Sequence, residues 1–473
     1  MTEAVVSTDL CVIGAGSGGL AVAAGAAQLG AATVLIERDA LGGGGLDGGD
    51  LPVQALLAAA RTAAAVRGAG RFGIDGGEPA VDLARVHDHI RRVVAERALD
   101  DSAERLAALG VRVIQAEARF TGPRTVRAGT LTVTARRFVI ATGSRPVIPA
   151  IPGLDRVPYL TSETIFGLGQ RPRHLLVLGG GPVGLELAQA YARLGCPVTL
   201  VERGSILSGE DAELVDVIRH RLTGDGVRLI EAGVVDGVEG GPDAVALMLA
   251  DGRRIAGSAL LVATGRTACV DGLDLGSAGV AAGVDGIVTD ARLRTTNKRI
   301  FAAGAVVAGA PRLAHVGRHH AGVVLRNALF RLPARVDLGG LARVTYTEPE
   351  LARAGLTENG ARDAYGRICI LRWPFAENDR ARAEHRSGGL VKVIVRPNGK
   401  VVGAGIAGAA AGELIQPWSL AIAQGLKAGA VAGLIAPGPT LSEANTRAAG
   451  NLLLPRLFND RVRALVRLLA PLG

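Results

Sequence analysis

Two segments of the chain repeat the same spacing of glycines followed by a carboxylate. Each reads G-x-G-x-x-G directly after an apolar run, and each ends in Glu-Arg after a second apolar run. The first glycine allows a tight turn, the second lets the backbone approach a pyrophosphate, and the third lets a helix pack closely on a strand. The helix N-terminus stabilises phosphate charge, and the carboxylate accepts hydrogen bonds from a ribose. The residues are Gly14, Gly16, Gly19, Glu37 and Arg38 in the first segment and Gly179, Gly181, Gly184, Glu202 and Arg203 in the second.

A strand, a helix and a second strand are needed to position these residues. In the first segment a buried strand leads into Gly14, a helix of small residues follows, and a second strand covers Thr33–Ile36. The second segment, from Leu175 to Arg203, has the same order. Because both copies are complete, the sequence predicts two dinucleotide sites, which suit electron transfer between two cofactors. The alternative is a pair of glycine-rich turns without a ligand.

Composition indicates an ordinary globular chain. The sequence has 473 residues, of which 48% are hydrophobic, and this length allows about two to four domains. The net charge of +9 is spread without a block of like charges, and only 3% of residues are aromatic, so we expect no nucleic-acid binding. The four cysteines are too far apart for a CxxC pair, which predicts neither a disulfide framework nor a metal site.

The amino-terminal residues carry no targeting pattern. Met1–Val5 has neither a basic n-region nor an apolar h-region, and no run of about 18 strongly apolar residues follows. We therefore expect a soluble, cytoplasmic protein without membrane insertion.

Further motifs follow the two glycine-rich segments in a specific order. They read ATGSRP at 141–146, ATGR at 263–266, IFAAG at 300–304 and PTLSE at 439–443. With these motifs the chain resembles, over essentially its full length, the FAD-dependent pyridine nucleotide-disulfide oxidoreductases, which include dihydrolipoamide dehydrogenase, glutathione reductase and mercuric reductase. The segments at 374–380 and 412–415 are most similar to the bacterial dihydrolipoamide dehydrogenase-like and mercuric reductase-like branch.

The resemblance implies an α/β fold with two Rossmann-like dinucleotide-binding domains and a C-terminal α+β dimerisation domain. FAD would bind residues 1–150 and a return segment at 271–335, NAD(P)H would bind residues 151–270, and residues 336–473 would form a homodimer interface. Glu186 matches the family glutamate near the nicotinamide and flavin. The remaining implied cofactor contacts are Gly43, Thr142, Gly143, Ser144, Gly265, Gly304 and Ala305.

The nicotinamide cofactor is predicted from the acid that ends the second glycine-rich segment. Glu202 stands where a 2′-phosphate would lie, and its charge repels that phosphate, which favours NADH. Arg203 follows at once and leaves NADPH open as an alternative.

The chain departs from the family pattern at the positions that carry thiol chemistry. The family segment reads GGTCLNVGCxPSKALL, and here Gly45 and Asp50 occupy the two cysteine positions while Val53 and Gln54 replace the Ser-Lys pair. A thiolate is needed to attack a disulfide, and neither glycine nor a carboxylate replaces it.

Two further departures affect the proton donor and the flavin contact. Gly438 stands in place of the family's catalytic His, while Glu443, which orients that His, is retained. Ala305 replaces the aspartate that holds the ribityl chain of FAD, a loss of roughly 1.5–3 kcal/mol in cofactor affinity. FAD is still expected.

These residues lead to two functional hypotheses. The first is an NAD(P)H-dependent flavoprotein oxidoreductase with a thiol-independent route from reduced flavin to a small-molecule acceptor such as a quinone, oxygen or a small metabolite. Asp50, Glu186 and Glu443 are its candidate catalytic residues; Asp50 would relay a proton or tune the flavin, or it is only a polar loop residue. The second is a catalytically inactive nucleotide-binding homologue that serves as a sensor or partner subunit.

Overall fold

The computed structural model describes residues 4–47, 49–241 and 244–472 and divides the chain into two compact units. The first unit comprises the described residues of Met1–Arg173, Asp236–Met248 and Ile255–Val336. The second comprises those of His174–Val235, Leu249–Arg254 and Asp337–Gly473.

The described α-helices, in chain order, are α1 Ser17–Gln28, α2 Gly44–Asp47, α3 Asp50–Arg67, α4 Leu83–Ala98, α5 Ala103–Ala108, α6 Pro182–Arg193, α7 Ala212–Gly224, α8 Ala314–Ala328, α9 Glu358–Tyr365, α10 Asp379–Ala383, α11 Ala411–Leu414, α12 Gln416–Ala423, α13 Ala428–Ala432, α14 Glu443–Gly450, α15 Leu454–Leu457 and α16 Asp460–Leu469.

The described strands, in chain order, are β1 Ala4–Ile13, β2 Thr33–Glu37, β3 Val111–Gln115, β4 Ala118–Gly122, β5 Thr125–Ala128, β6 Leu131–Ile140, β7 Ser144–Pro146, β8 Leu175–Leu178, β9 Val198–Val201, β10 Val227–Ile230, β11 Val235–Gly241, β12 Ala244–Leu249, β13 Arg254–Gly257, β14 Ala259–Val262, β15 Arg266–Ala268, β16 Ala282–Gly283, β17 Gly286–Ile287, β18 Ile300–Ala302, β19 Ala342–Thr345, β20 Glu350–Gly355, β21 Cys369–Pro374, β22 Leu390–Val395 and β23 Val401–Gly408.

The first unit is built on a seven-stranded sheet with the order β3-β2-β1-β6-β5-β4, to which β18 adds on β6. Strands β3, β2, β1, β6 and β18 run parallel, and β5 and β4 continue the sheet antiparallel. The carboxyl-terminal parts of β1 and β6, residues 10–13 and 138–140, are buried apolar runs, as expected for strands covered on both faces. Helices α1 and α8 pack together so closely that a Cβ on Gly18 would lie 3.2 Å from the carbonyl oxygen of Gly317.

The second unit contains a repeat of this arrangement and an antiparallel sheet. Strands β8, β9 and β10 pair in parallel, and α6 and α7 connect them. The C-terminal residues form a five-stranded antiparallel sheet with the order β19-β20-β23-β22-β21. Trp418 of α12 is fully buried in its core and donates its indole N–H to Asn445 Oδ1 at 2.8 Å. The predicted fold class, with two Rossmann-like domains and a C-terminal α+β domain, is confirmed.

Candidate cofactor sites and active site

The loop between β1 and α1 requires glycine at two positions and leaves the third open. Gly14 has φ +99°, and a Cβ there would lie 2.6 Å from the carbonyl oxygen of Ala141. A Cβ on Gly19 would lie 1.9 Å from the carbonyl oxygen of Gly14. Around Gly16, by contrast, a Cβ would meet nothing within 4 Å. Gly43, with φ +62°, approaches Gly16 so closely that its Cβ would lie 2.9 Å from the Gly16 Cα. This open cradle fits the pyrophosphate of FAD.

The loop between β8 and α6 repeats this geometry. Gly179 has φ +114°, and a Cβ on Gly181 would meet nothing within 4 Å. Gly181 is the N-cap of α6, Pro182 occupies the first helical position, and Gly184 is buried in the first turn. Proline is favoured there because that N–H has no partner inside the helix. The open side of this loop fits the pyrophosphate of a second dinucleotide.

The carboxylates of Glu37 and Glu202 hold the two loops in the same way. Glu37 Oε2 accepts the Ala15 N–H at 2.6 Å, and Glu202 Oε2 accepts the Gly180 N–H at 2.6 Å. The other oxygen of Glu202 accepts the Gly204 N–H at 2.9 Å. An ionised carboxylate offers about four acceptor positions, so each glutamate can hold its loop and also accept a ribose hydroxyl.

The guanidinium group of Arg38 forms an ion pair with the next residue, Asp39. Its Nε donates to Asp39 Oδ2 at 2.9 Å, and this hydrogen bond raises the pKa of the Arg38 guanidinium. The main-chain N–H groups of Arg38 and Asp39 both donate to Glu37 Oε1. The backbone of Arg38 thus contributes to the position of Glu37, while its side chain is 58% exposed.

The predicted contacts at 142–144 and Gly265 lie together in the first unit. Strand β7 pairs antiparallel with β15, which places Ser144 opposite Ala268. Thr142 Oγ1 donates to the carbonyl of Cys269 at 2.6 Å, and the Cys269 N–H donates to the carbonyl of Gly143 at 3.0 Å. Gly265 has φ +119° and precedes β15. These bonds fix the turn that follows β6 at its carboxyl end, beside the first glycine loop.

An ion pair that sequence reasoning missed borders the segment of the expected thiols. Arg266 Nη2 lies 2.7 Å from Glu163 Oε1, and Arg266 Nε donates to Ser144 Oγ at 2.9 Å. A Cβ on Gly44 would lie 3.6 Å from Arg266 Nη2 and 3.7 Å from Glu163 Oε1. Arg266 belongs to the ATGR motif, which is a signal in the sequence, whereas no spacing distinguishes Glu163.

Gly45 lies in α2, and Asp50 is the exposed first residue of α3. A negative charge at that position is stabilised by the helix dipole, typically by about 0.3–1 kcal/mol at the surface. Pro52 and Val53, in the same first turn, are buried. The structure thus gives Asp50 a helix-stabilising role in addition to the catalytic one that the sequence suggests.

Glu186 and Glu443 both accept main-chain hydrogen bonds in the second unit. Glu186 is 6% exposed, and its Oε1 accepts the Tyr346 N–H at 2.8 Å. Glu443 opens α14, and its Oε2 accepts the Thr440 N–H at 3.2 Å. A Cβ on Gly438 would lie 3.4 Å from Glu443 Oε1. A side chain at residue 438 would therefore contact this carboxylate, as the predicted His–Glu arrangement requires.

The turn that carries Ala305 is fixed by a buried histidine. Gly304 has φ +77°, and its N–H donates to His320 Nδ1 at 3.1 Å. His320 is 1% exposed, and burial lowers its pKa to about 4. The imidazole is therefore neutral near pH 7 and accepts at Nδ1. His320 therefore has a structural role in this turn.

Comparison with known proteins identifies the family. Residues 8–321 match the family described as pyridine nucleotide-disulphide oxidoreductase, and residues 341–449 match its dimerisation domain. The chain belongs to this family. Members of the pyridine nucleotide-disulphide oxidoreductases depend on FAD and NAD(P)H, both of which are dinucleotides.

Proteins similar to this chain include enzymes of nearly equal length and proteins with solved structures. A mercuric reductase of Streptomyces lividans is 37% identical, with 95% of this chain and 97% of that protein covered. A dihydrolipoyl dehydrogenase of Geobacillus stearothermophilus is 34% identical, with 94% and 96% covered. The structure resembles an HOCl-induced flavoprotein disulfide reductase, RclA, from Escherichia coli (TM-score 0.83, 26% identity, 92% and 98% covered) and LpdA from Mycobacterium tuberculosis (TM-score 0.85, 27% identity, 94% and 99% covered).

In this pyridine nucleotide-disulphide oxidoreductase homologue the four cysteines, all of them described residues, form no disulfide. Cys11 and Cys196 are buried, whereas Cys369 on β21 is only half-buried. Burial raises the pKa of the Cys11 and Cys269 thiols. A raised pKa keeps a thiol protonated, which makes it a poor nucleophile.

The described residues contain neither a candidate metal cluster nor a candidate membrane-spanning helix. Within them no group of three or more His, Cys, Asp or Glu side chains could hold a metal ion. Over the same part of the chain, no helix is both long and apolar enough to cross a membrane.

Proposed function

We propose that this chain is an NAD(P)H-dependent flavoprotein oxidoreductase that reduces a non-disulfide acceptor by a thiol-independent route. The observation that carries the proposal is that no cysteine occurs between Cys11 and Cys196, although both glycine loops have the geometry of dinucleotide sites. FAD, when bound, supplies a centre that accepts a hydride from NADH and transfers two electrons to a quinone, oxygen or a small metabolite.

The residues of the two loops assign the two cofactors. We assign FAD to the loop of Gly14, Gly16 and Gly19, with Glu37 at its ribose, and NADH to the loop of Gly179, Gly181 and Gly184. The charge of Glu202 supports NADH over NADPH because it repels a 2′-phosphate. The remaining proposed cofactor contacts are Thr142, Gly143, Ser144, Gly265, Gly304 and Ala305.

The region around Gly44 supports an acceptor site. Gly44 is exposed, and a Cβ there would meet only the Arg266–Glu163 pair, at 3.6 Å and 3.7 Å, within 4 Å. Arg266 offers hydrogen-bond donors suited to a carbonyl oxygen. We propose that Asp50, exposed at the start of α3, exchanges a proton with the acceptor.

The match of residues 341–449 to a dimerisation domain supports a homodimer. Glu443 lies within this matched segment and contacts the position of the family His, which is Gly438 here. We propose that the protein acts as a homodimer in the cytoplasm without the acid–base residue that disulfide reduction requires.

Anaerobic addition of NADH to the purified protein tests the proposal. A yellow protein whose flavin absorbance bleaches with NADH and recovers with a water-soluble quinone would support it, while lipoamide and glutathione disulfide should not be reduced. Cys269→Ser serves as the matched control because Cys269 lies at the proposed FAD turn, and its quinone activity should equal that of the wild type. A colourless protein that cannot be loaded with FAD, or loss of quinone activity in Cys269→Ser, would contradict the proposal.

A second candidate function is a nucleotide-binding homologue without catalysis. It is favoured by the surroundings of Glu443, whose carboxylate accepts the Thr440 N–H while residue 438 is a glycine without a side chain. Such a protein would bind NADH, as nicotinamide fluorescence would show, but would neither bleach nor reduce any quinone.

A further inference from the structure

A cavity with a strongly cationic lining lies in the first unit, away from the glycine loop of that unit. Its volume is about 740 Å³, within the range of roughly 300–1,000 Å³ typical of small-molecule sites. Among its described lining residues, only Asp9 carries a carboxylate. The cations are Arg124, Arg136, Arg137, Lys298, Arg299 and Arg331, and we call this feature the six-cation cavity.

Adjacent strands place these cations together. Arg136 and Arg137 lie on β6, and the pairing of Phe138 with Ile300 brings Lys298 and Arg299, just before β18, alongside them. The Phe138 N–H donates to the carbonyl of Arg299 at 3.0 Å. Four of the six cations therefore lie on or directly before hydrogen-bonded strands, while Arg124 directly precedes β5 and Arg331 follows α8.

The six-cation cavity is distinct from the proposed FAD site. Ala141, against which Gly14 packs, follows β6, and Arg137 lies four residues earlier. At about 3.3 Å per residue these positions are roughly 13 Å apart along the strand. The cavity lies beyond the amino ends of β2 and β18, whereas the glycine loop follows the carboxyl end of β1.

The charges of the cavity are far from balanced. Asp9 Oδ1 lies 3.2 Å from Arg136 Nη1, and its Oδ2 accepts the Ala32 N–H at 3.1 Å, so its carboxylate is already engaged. Burial, followed by the nearby guanidinium groups of Arg299 and Arg331, lowers the pKa of Arg137. The C-terminal ends of α1 and α8 add partial negative charges of about one half each, which leaves a large positive excess.

We propose that the six-cation cavity binds a polyphosphate chain, such as that of a nucleoside triphosphate. Guanidinium groups bind phosphate oxygens in a bidentate manner, and several of them converge here. Leu29 and Phe330, which are 53% and 54% exposed, line the same cavity. They offer an apolar surface for a base next to the cations. The proposal does not rest on the flavin chemistry, and a colourless protein would bind the same ligand.

Calorimetric titration of the full-length protein tests this site. Excess FAD and NAD⁺ fill the glycine loops, and inorganic tripolyphosphate and ATP are titrated separately at about 0.15 M salt, where long-range attraction is screened. We expect one tripolyphosphate per chain. Tighter binding of ATP would show that the apolar rim holds a base, and equal binding would assign the site to the phosphate chain alone.

Charge-removing variants locate the binding. Arg137→Gln with Arg299→Gln should weaken tripolyphosphate binding at least tenfold. The control, Arg112→Gln with Arg127→Gln, removes two exposed charges from β3 and β5 of the same unit and should change binding less than twofold. Lys298→Gln, at an exposed position, provides a second variant should the first fail to fold, with an expected weakening of about threefold. Absence of binding by the wild type at millimolar tripolyphosphate, or equal weakening in the control, would overturn the proposal.

Discussion

Glu37 and Glu202 are equivalent residues that hold equivalent loops. Each lies 22 positions after the residue whose N–H its Oε2 accepts, at the same 2.6 Å distance. Because the carboxylate fixes the loop and is proposed to bind the ribose, we expect a substitution to alter both loop geometry and cofactor affinity. The two residues also provide controls for each other, since each is assigned to a different cofactor.

Glu202→Gln tests the assignment of the nicotinamide cofactor. Gln removes the charge and one acceptor oxygen, a loss of roughly 1.5–3 kcal/mol per charge-assisted hydrogen bond. The NADH dissociation constant should rise about tenfold or more, while the NADPH constant should rise less because repulsion of the 2′-phosphate disappears. Fluorescence titration with both nucleotides measures this. Glu37→Gln should reduce FAD retention without changing the ratio of the NADPH and NADH dissociation constants. If this ratio were unchanged in Glu202→Gln, the assignment of the nicotinamide cofactor would be refuted.

His320 should make stability depend on pH. Its folded-state pKa of about 4 lies below the ordinary value of 6.5, so the unfolded chain binds the proton more readily. The contribution is fully present above about pH 6.5 and is lost as the pH falls towards 4, by up to about 3 kcal/mol at 1.36 kcal/mol per pKa unit. His320→Asn keeps an acceptor for the Gly304 N–H but does not titrate.

Thermal unfolding between pH 7.5 and 4 measures the His320 contribution. The wild type should lose melting temperature more steeply than His320→Asn, whereas His319→Asn, at an exposed neighbouring position, should retain most of the wild-type dependence. Parallel curves for the wild type and His320→Asn would contradict this account.

At the scale of elements, different glycines of the turn from β1 to α1 should matter for folding and for cofactor binding. Gly19→Ala places a Cβ 1.9 Å from the carbonyl oxygen of Gly14, so the turn must open and the unit should lose several kcal/mol of stability, near the upper end for a single substitution. Gly16→Ala meets nothing within 4 Å and should leave the melting temperature of the apoprotein nearly unchanged. Its methyl group should nevertheless reduce the FAD content.

The ratio of FAD absorbance to protein, measured with the melting temperature, distinguishes these two effects. Gly181→Ala is the matched control, because it is equally open but belongs to the second loop and should affect NADH rather than FAD. Full FAD retention in Gly16→Ala would show that the pyrophosphate does not approach this glycine.

Elements set by local pattern could be predicted from the sequence, and contacts between distant residues could not. The predicted strand Thr33–Ile36 is observed as Thr33–Glu37, and the second copy begins at Leu175 as expected. These elements follow from buried apolar runs joined to glycine turns. The Arg266–Glu163 pair joins residues 103 positions apart, and no periodicity or motif relates them.

At the scale of the whole molecule, the same limit applies to domain organisation. The predicted boundaries at 150, 270 and 335 follow the order of motifs, and they stay a prediction. The compact units group 174–235 with the C-terminal residues, through contacts such as Glu186 with Tyr346 that chain order does not reveal. The six-cation cavity likewise assembles cations from four separate stretches of sequence.

The second unit depends on a buried lysine that joins its two main segments. Lys392 on β22 is 4% exposed, and its Nζ lies 2.8 Å from Asp211, 2.9 Å from Glu213 and 2.8 Å from Glu358. Burial alone would lower the pKa of Lys392, but its hydrogen bonds to these carboxylates raise it. Asp211 caps α7 within residues 174–235, which we call the nucleotide segment because NADH is proposed to bind there. The cluster therefore attaches this segment to the C-terminal sheet.

Lys392→Met should destabilise the second unit by about 3–5 kcal/mol, because it leaves carboxylates close together without their cation. Chemical denaturation followed by Trp fluorescence measures this, since Trp418 lies in the core of the same unit. Arg362→Met removes an exposed partner of Glu358 and should cost less than about 1 kcal/mol. If Lys392→Met were no less stable than Arg362→Met, the cluster would not be what attaches the nucleotide segment. In the expected case, NADH binding by Lys392→Met falls in parallel with the unfolding of α7 and not before it. The reason is that Lys392 acts through the fold and not through contact with the cofactor.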